Sequence, residues 1–180
     1  MRPPVPLVLA LFLCAAPAAS SDCAAAPGNL LAAGNCGFAK DLAGWEASPG
    51  AALSRSMDDE GGVLTGTSDP GGSLTILGPC VKVQAGTPYR FGARLRSSKG
   101  TVFFCSFNLF QYSDDQCKEG AEPFGSAGRP PGKTWEEVSG SATTADGVKS
   151  VQLRPACSGE PGFEVQFDDF VLGSGAGQSP

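Results

Sequence analysis

The segment from Thr101 to Tyr112 carries residue types that could bind a polar, ring-shaped ligand. On a β-strand its alternate positions Phe104, Asn108, Phe110 and Tyr112 would share one face, because successive side chains point to opposite sides. Aromatic rings stack on the apolar C–H face of a pyranose, and amide and hydroxyl groups hydrogen-bond its hydroxyl groups. This face therefore has the chemistry expected of a sugar-binding surface.

Other predicted strands offer polar side chains that could complete such a surface. They are Arg94, Arg96, Gln152 and Arg154. We expect these four residues and the alternate positions of residues 101–112 to form one shallow, concave groove. The opposite parity of that segment is apolar and is predicted to face the core, with Phe103, Cys105, Phe107 and Leu109. The alternative is that loops cover the mixed face and its aromatic rings form a second small core.

The composition argues against several kinds of catalytic site. The chain has no histidine, which excludes Ser-His-Asp and Cys-His catalysis and HExxH metalloproteases. Its acidic pairs, such as Asp58-Asp59 and Asp114-Asp115, are adjacent in sequence. Neighbouring strand residues point to opposite faces, so these pairs do not form the facing carboxylates that a glycosidase requires. We predict a protein that is not an enzyme, and a small glycosidase or lyase remains an alternative.

The first twenty residues have the pattern of a secretory signal peptide. A positively charged start is followed by a short apolar run and by small residues. Cys14 belongs to this segment, and the six cysteines that follow predict three disulfides in an exported protein. The expected pairs are Cys105–Cys117, Cys80–Cys157 and Cys23–Cys36. The predicted location is secreted, either extracellular or periplasmic.

The charge pattern predicts which partners the chain does not bind. The net charge is −5 and only 17% of the residues are charged, with no block of basic residues. A chain with this charge pattern binds nucleic acid and anionic membranes poorly. We therefore expect no nucleic-acid or membrane partner, and we expect a monomer.

Short β-rich runs separated by turn signals dominate the sequence. Glycine or proline interrupts nearly every window long enough for a helix. Predicted strands include 73–77, 81–83, 89–96, 101–112, 148–154 and 163–172, and several of them are bounded by Gly-Pro or Gly-Gly pairs. Many short strands with turns between them indicate an all-β sandwich or barrel.

Four motifs then occur in the order seen in a known group of proteins. They are Asn29-Leu30-Leu31 with Asn35-Cys36-Gly37-Phe38 and Gly44-Trp45, residues 81–91 (VKVQAGTPYRF), residues 134–139 (TWEEVS), and residues 167–172 (FDDFVL). Together they resemble secreted β-sandwich carbohydrate-binding modules of the group around families four, nine, sixteen and twenty-two, which are similar to galactose-binding domains. The resemblance covers residues 29–172. It implies a jelly-roll sandwich of two antiparallel sheets.

The resemblance also implies a function and a division of the chain. It implies a non-catalytic module whose partner is an oligosaccharide or polysaccharide, and relatives of this kind are usually fused to glycoside hydrolases. Residues 1–20 would be the signal peptide, 21–28 a lead-in and 173–180 a flexible tail. Trp45 and Trp135 are expected to pack in the core. A structural or adhesive sandwich without a sugar site is the alternative function.

Members of this group often hold a structural calcium ion near the chain ends. The resemblance makes Asp168 and Asp169 candidate ligands, together with backbone carbonyls. The glutamate that usually follows the first phenylalanine is Ala39 here, which removes an anionic oxygen of the kind that calcium prefers. The sequence therefore requires no cofactor, and a structural calcium ion is one alternative that it allows.

Overall fold

The computed structural model describes residue 23 and residues 28–32, 35–59 and 61–174. The predicted signal peptide, most of the lead-in and residues 175–180 lie outside these ranges. Within them the strands are β1 (Glu46–Ala47), β2 (Ala52–Asp58), β3 (Gly61–Thr67), β4 (Ser73–Leu77), β5 (Cys80–Lys82), β6 (Pro88–Lys99), β7 (Val102–Tyr112), β8 (Glu122–Arg129), β9 (Glu136–Thr143), β10 (Ser150–Gly159) and β11 (Glu164–Ser174). No helix in the described ranges is long and apolar enough to cross a membrane.

The strands form two antiparallel sheets, which confirms the predicted all-β sandwich. The six-stranded sheet has the order β1-β4-β10-β7-β8, and β5 pairs with β10 beyond the end of β4. The five-stranded sheet has the order β2-β3-β11-β6-β9. The last strand runs to Ser174, two residues past the predicted end of the domain.

The alternation of β6 places one set of its side chains between the sheets. Tyr89, Phe91, Ala93 and Leu95 are all at most 4% exposed and belong to the core, as their spacing predicts. Burying one face of a strand fixes its register, since a slip of one residue would expose all four side chains. Arg94 and Arg96 therefore point away from the core.

The core side of β7 is also largely as predicted, with one exception. Cys105, Phe107 and Leu109 are fully buried, whereas Phe103 is 59% exposed. The register between β7 and β10 shifts between Ser158 and Gly159, so that Phe103 has no direct partner in the ladder. This β-bulge interrupts the alternation, and the assignment of Phe103 to the core was wrong.

A second bulge shapes β11. Its pairing with β6 shifts between Asp168 and Val171, and Asp169 has a φ of 52°. Phe167 and Phe170 are consequently both fully buried although they are three residues apart. The Phe170 ring centroid lies 4.3 Å from that of Trp45, which confirms Trp45 as a core residue.

Trp135 differs from Trp45. It is half-buried and lies outside the core cluster, immediately before β9. The Arg96 guanidinium carbon is 4.3 Å from the centre of its ring. The expectation that Trp135 packs in the core was therefore wrong, because its ring lies against side chains of the outer face of the five-stranded sheet.

The sequence pattern does not predict β8, because its glycines are typical of turns. Strands β8 and β9 cross at short range between the two sheets, and a methyl group at Gly125 would lie 2.7 Å from Cβ of Ala142. At Gly140 it would lie 3.0 Å from Cβ of Ala127. Glycine is required here for close approach rather than for a turn.

Two of the three predicted disulfide pairs were exchanged. The structure contains Cys23–Cys36, as predicted, but also Cys80–Cys117 and Cys105–Cys157. Cys105 and Cys157 are direct cross-strand partners on β7 and β10, with Cα atoms 4.1 Å apart and both side chains in the core. Cys105 cannot reach Cys117, because it lies seven residues, about 23 Å of extended strand, before the end of β7.

Candidate functional site

Six of the eight predicted ligand-binding residues lie together on the outer face of the six-stranded sheet. They are Phe104, Asn108, Phe110 and Tyr112 on β7 and Gln152 and Arg154 on β10. The two strands are adjacent, with Gln152 opposite Phe110 and Arg154 opposite Asn108. We refer to this surface as the β7–β10 face.

Arg154 lies over the Phe110 ring. Its guanidinium carbon is 4.3 Å from the centre of that ring, which is within the range of a cation–π interaction. Its Nε donates a hydrogen bond to Gln152 Oε1 at 2.9 Å, and its Nη2 donates to the Tyr112 hydroxyl. Two hydrogen bonds and the contacts with the rings of Phe110 and Tyr112 thus fix the orientation of this cation.

Gln152 connects the members of this group. Its Oε1 accepts a second hydrogen bond from the Tyr112 hydroxyl at 3.0 Å, and its Nε2 donates to the Gly78 carbonyl oxygen at 2.8 Å. Burial raises the pKa of Tyr112 above its usual value, and the nearby Arg154 charge only partly opposes this. The hydroxyl therefore stays protonated at neutral pH and can donate to Gln152.

Tyr112 cannot act as a stacking platform, because its side chain is 1% exposed. The loop of residues 113–121 folds against this end of the face, where Ser150 Oγ donates to the Asp114 carbonyl oxygen at 2.7 Å. The disulfide between Cys80 and Cys117 ties the same loop to β5. Loops thus cover one end of the face, and the stacking role predicted for Tyr112 is replaced by a hydrogen bond to Arg154.

The other end of the face is open. Phe104 is 44% exposed, and a methyl group at Gly128 would lie 2.8 Å from its ring, so the ring rests on bare backbone of β8. Asn108 Nδ2 donates to Ser106 Oγ at 2.9 Å, and Ser126 Oγ donates to Asn108 Oδ1 at 2.9 Å. An exposed ring therefore stands beside an ordered group of amide and hydroxyl groups.

Ser126 also belongs to this face, although the sequence pattern does not predict it there. Ser126 lies on β8, opposite Asn108. Its segment, PFGSAG, has no alternation of apolar and polar residues that would predict a strand. The pairing of β7 with β8 is therefore the observation that reveals it.

Arg94 and Arg96 lie elsewhere, and the prediction of one groove containing all eight residues was wrong. Both are on β6, on the outer face of the five-stranded sheet, which is the opposite side of the sandwich. Arg96 pairs with Asp58 at 3.2 Å and donates to Gln166 Oε1 at 2.7 Å. Arg96 and Trp135, with Asp58 and Asp59, line a shallow depression there.

Arg94 forms ion pairs with both candidate calcium ligands. Its Nη2 is 3.1 Å from Asp168 Oδ2, and its Nε is 2.7 Å from Asp169 Oδ2. Asp168 is 2% exposed, and desolvation by this burial, with the adjacent Asp169 charge, raises its pKa to about 6 against the effect of Arg94. Both carboxylates are thus already ion-paired with the same guanidinium, whose single positive charge balances part of their negative charge.

The backbone oxygens that could complete a calcium site are also occupied. Arg55 Nε donates to the Phe38 carbonyl oxygen and Arg55 Nη2 to that of Ala39, both at 2.6 Å. Among the described residues, Asp169 Oδ1 is a buried carboxylate oxygen with no hydrogen-bond partner. This one oxygen is far fewer than the six to eight oxygen ligands that calcium takes. The residues present do not fit a calcium site of the kind that the resemblance implies, and no described group of three or more Asp, Glu, Cys or His suggests another.

Several acidic residues of the adjacent pairs have structural partners. Burial disfavours ionisation of Asp114, but three backbone N–H groups that donate to its carboxylate hold its pKa below the usual value. Asp115 pairs with Lys82 at 2.8 Å. Glu136 pairs with Arg129 at 3.1 Å. These carboxylates stabilise loops and strand edges.

The comparisons with known proteins identify the fold. No protein-family model matches the chain, and no curated protein is similar to it in sequence. Among solved structures, a family 4 carbohydrate-binding module superposes with a TM-score of 0.59 at 15% identity, over 78% of this chain and 97% of that one. A xylan-binding family 22 module of Paenibacillus barcinonensis Xyn10C gives a TM-score of 0.56 at 14% identity, over 77% of this chain and 97% of that one.

Two further structures extend this comparison. A family 61 module solved with β-1,4-galactotriose gives a TM-score of 0.54 at 16% identity, over 81% of this chain and 98% of that one. The family 22 and catalytic modules of a Clostridium thermocellum xylanase, Xyn10B, give 0.61 at 12% identity; the match covers 79% of this chain but only 28% of that longer protein. The chain therefore has the β-sandwich fold of carbohydrate-binding modules of this group.

Proposed function

We propose that this protein is a secreted, non-catalytic module that binds an oligosaccharide or polysaccharide on the β7–β10 face. The observation that carries the proposal is the open end of that face. There the exposed Phe104 ring adjoins the hydrogen-bonded group of Ser106, Asn108 and Ser126, and Arg154 follows one strand away. A ring next to ordered donors and acceptors suits a pyranose, which is apolar on its C–H faces and polar at its rim.

The dimensions of the face support a chain rather than a single sugar. Phe104 and Asn108 are four residues apart on β7, or about 13 Å along the strand. That length exceeds one pyranose ring. Arg154 lies opposite Asn108. The loop of residues 113–121 closes the face beyond Tyr112, so the proposed ligand runs from Phe104 and ends near Arg154.

Three features support the secreted and non-catalytic parts of the proposal. Three disulfides are typical of proteins that fold in an oxidising compartment. Asp58, Asp115 and Glu136 form ion pairs, and the Asp114 carboxylate accepts backbone hydrogen bonds within its loop. The fold is shared with a xylan-binding domain and with a module solved in complex with β-1,4-galactotriose.

Affinity electrophoresis of the protein through gels containing single polysaccharides tests the proposal. A panel of xylan, galactan, mixed-linkage glucan and polygalacturonate covers neutral and acidic chains. We expect retardation by at least one polymer, and we expect Phe104→Ala to abolish it while the variant keeps its melting temperature.

Trp135→Ala provides the matched control, since it removes an aromatic side chain from the opposite face of the sandwich. It should leave retardation unchanged. Loss of binding in Trp135→Ala together with full binding in Phe104→Ala would place the site on the five-stranded sheet and contradict the proposal. Absence of retardation by any polymer would favour the structural or adhesive alternative.

A further inference from the structure

The half-buried Arg154 lacks the carboxylate partner that Arg94, Arg96 and Arg129 have. Arg94 and Arg96 are ion-paired with aspartates at 2.7 to 3.2 Å, and Arg129 pairs with Glu136. The hydrogen bonds that Arg154 donates go instead to neutral atoms of Gln152 and Tyr112. Within the described ranges no carboxylate forms an ion pair with it.

The surroundings of Arg154 hold it in place without neutralising it. Phe110 supports its flat side, and Gln152 and Tyr112 engage Nε and Nη2. A guanidinium has five N–H donors, so the remaining donors of Nη1 and Nη2 have no hydrogen-bond partner in the described part of the chain. The Arg154 side chain is therefore already ordered before a ligand binds. Binding then costs less side-chain entropy, which favours it.

The ladder positions next to Arg154 are polar but neutral. Asn108 lies opposite it on β7, and Ser126 lies opposite Asn108 on β8. These side chains can bond hydroxyl groups of a ligand but cannot neutralise a cation. A planar guanidinium with free donors matches a carboxylate, which can accept two parallel hydrogen bonds.

We infer that the β7–β10 face selects an acidic glycan, in which the carboxylate of a uronic acid residue binds Arg154. The inference rests on the proposed function and names the ligand class of the same site. The pyranose next to the uronic acid would lie along Asn108 and Ser126 toward Phe104.

Isothermal titration calorimetry with trigalacturonate and with its trimethyl ester tests the inference. The two probes share one skeleton and differ at their carboxyl groups, which are anionic in the acid and neutral methyl esters in the second probe. We expect the wild-type protein to bind the acid at least about tenfold more tightly than the ester. Arg154→Gln should remove this preference while leaving the affinity for the ester within about twofold, and Arg154→Lys should retain part of it.

Arg90→Gln is the matched control, because Arg90 is exposed on the outer face of the five-stranded sheet and its replacement changes the net charge equally. It should change neither affinity. Equal binding of acid and ester by the wild-type protein would overturn the inference and leave the proposed function standing. Binding of neither probe, with retention by a neutral polymer, would also overturn it, and failure to bind any glycan would overturn both.

Discussion

The guanidinium carbon of Arg154 lies 4.3 Å from the centre of the Phe110 ring, on the outer face of the six-stranded sheet. Phe110 is therefore covered by a cation rather than open to a sugar, and its contribution is to support Arg154. Phe104, which is 44% exposed, is the ring of this face that remains available for stacking. The two phenylalanines therefore have different roles: Phe110 supports Arg154, and Phe104 is available to stack on a sugar.

Replacing Gln152 by methionine should weaken binding of trigalacturonate by about tenfold, roughly 1.4 kcal/mol. Methionine keeps the volume of the side chain but removes the oxygen that accepts hydrogen bonds from Arg154 and Tyr112. Gln152 is a positioning residue, so the preference for acid over ester should fall as well. Gln111→Met is the control, since Gln111 accepts one hydrogen bond from Ala145 N away from this group. If both variants bind like the wild type, Gln152 does not position Arg154.

Non-reducing peptide mapping should recover the linked pairs Cys105–Cys157 and Cys80–Cys117. The first joins β7 to β10 inside the core, and the second ties the loop that covers Tyr112. The Cys80–Cys117 disulfide closes a loop of 37 residues, and the Cys105–Cys157 disulfide closes one of 52 residues. Removing either disulfide should lower the free energy of unfolding by on the order of 4 kcal/mol in the chain-entropy estimate. A peptide containing Cys105 linked to Cys117 would contradict the structure.

Asp168 should make the protein less stable as the pH rises from about 4 to 7. Its pKa is raised to about 6 in the folded state, from the usual 3.8, so the folded state holds a proton that the unfolded state has released. Stability is then greatest below the unfolded pKa and falls as the pH passes through 6, by on the order of 2 to 3 kcal/mol. Asp168→Asn cannot titrate, so its free energy of unfolding should fall less over the same range. Parallel pH profiles for the two proteins would contradict the assignment.

Removing divalent metal ions should leave the melting temperature unchanged. Arg94 is ion-paired with both Asp168 and Asp169, and Arg55 donates hydrogen bonds to the carbonyl oxygens of Phe38 and Ala39. Differential scanning calorimetry with and without EDTA measures the effect directly. Arg94→Gln, in contrast, should cost about 3 to 5 kcal/mol because it leaves buried carboxylates without a counter-ion. A melting temperature that drops in EDTA and recovers with calcium would show that the ion binds despite these contacts.

Much of the fold follows from local pattern. The alternation in β6 and the core side of β7 predicted which residues lie between the sheets. Alternate side chains point to opposite faces of a strand, so the apolar set must be the one that faces the core. The bulges at Ser158 and Asp168 could not be predicted in this way, because a single inserted residue changes the face of every residue after it.

The candidate site was predictable only within one sheet. Phe104, Asn108 and Phe110 share a strand, so their common face follows from parity alone. Whether Arg94 or Arg154 faces them depends on which strands are neighbours, and strand order is a long-range property of the sandwich. The exchanged disulfides have the same origin, since the cross-strand pairing of Cys105 with Cys157 follows from the position of β10 beside β7.

The central claim is that an acidic glycan binds to the β7–β10 face, and mapping of amide chemical shifts during titration with trigalacturonate tests it most directly. The account predicts that the largest changes occur on β7, β8 and β10, around Ser106, Asn108, Ser126 and Arg154, and that β6 and β9 are unaffected. Changes centred on Arg96 and Trp135 instead, or no changes at all, would contradict it.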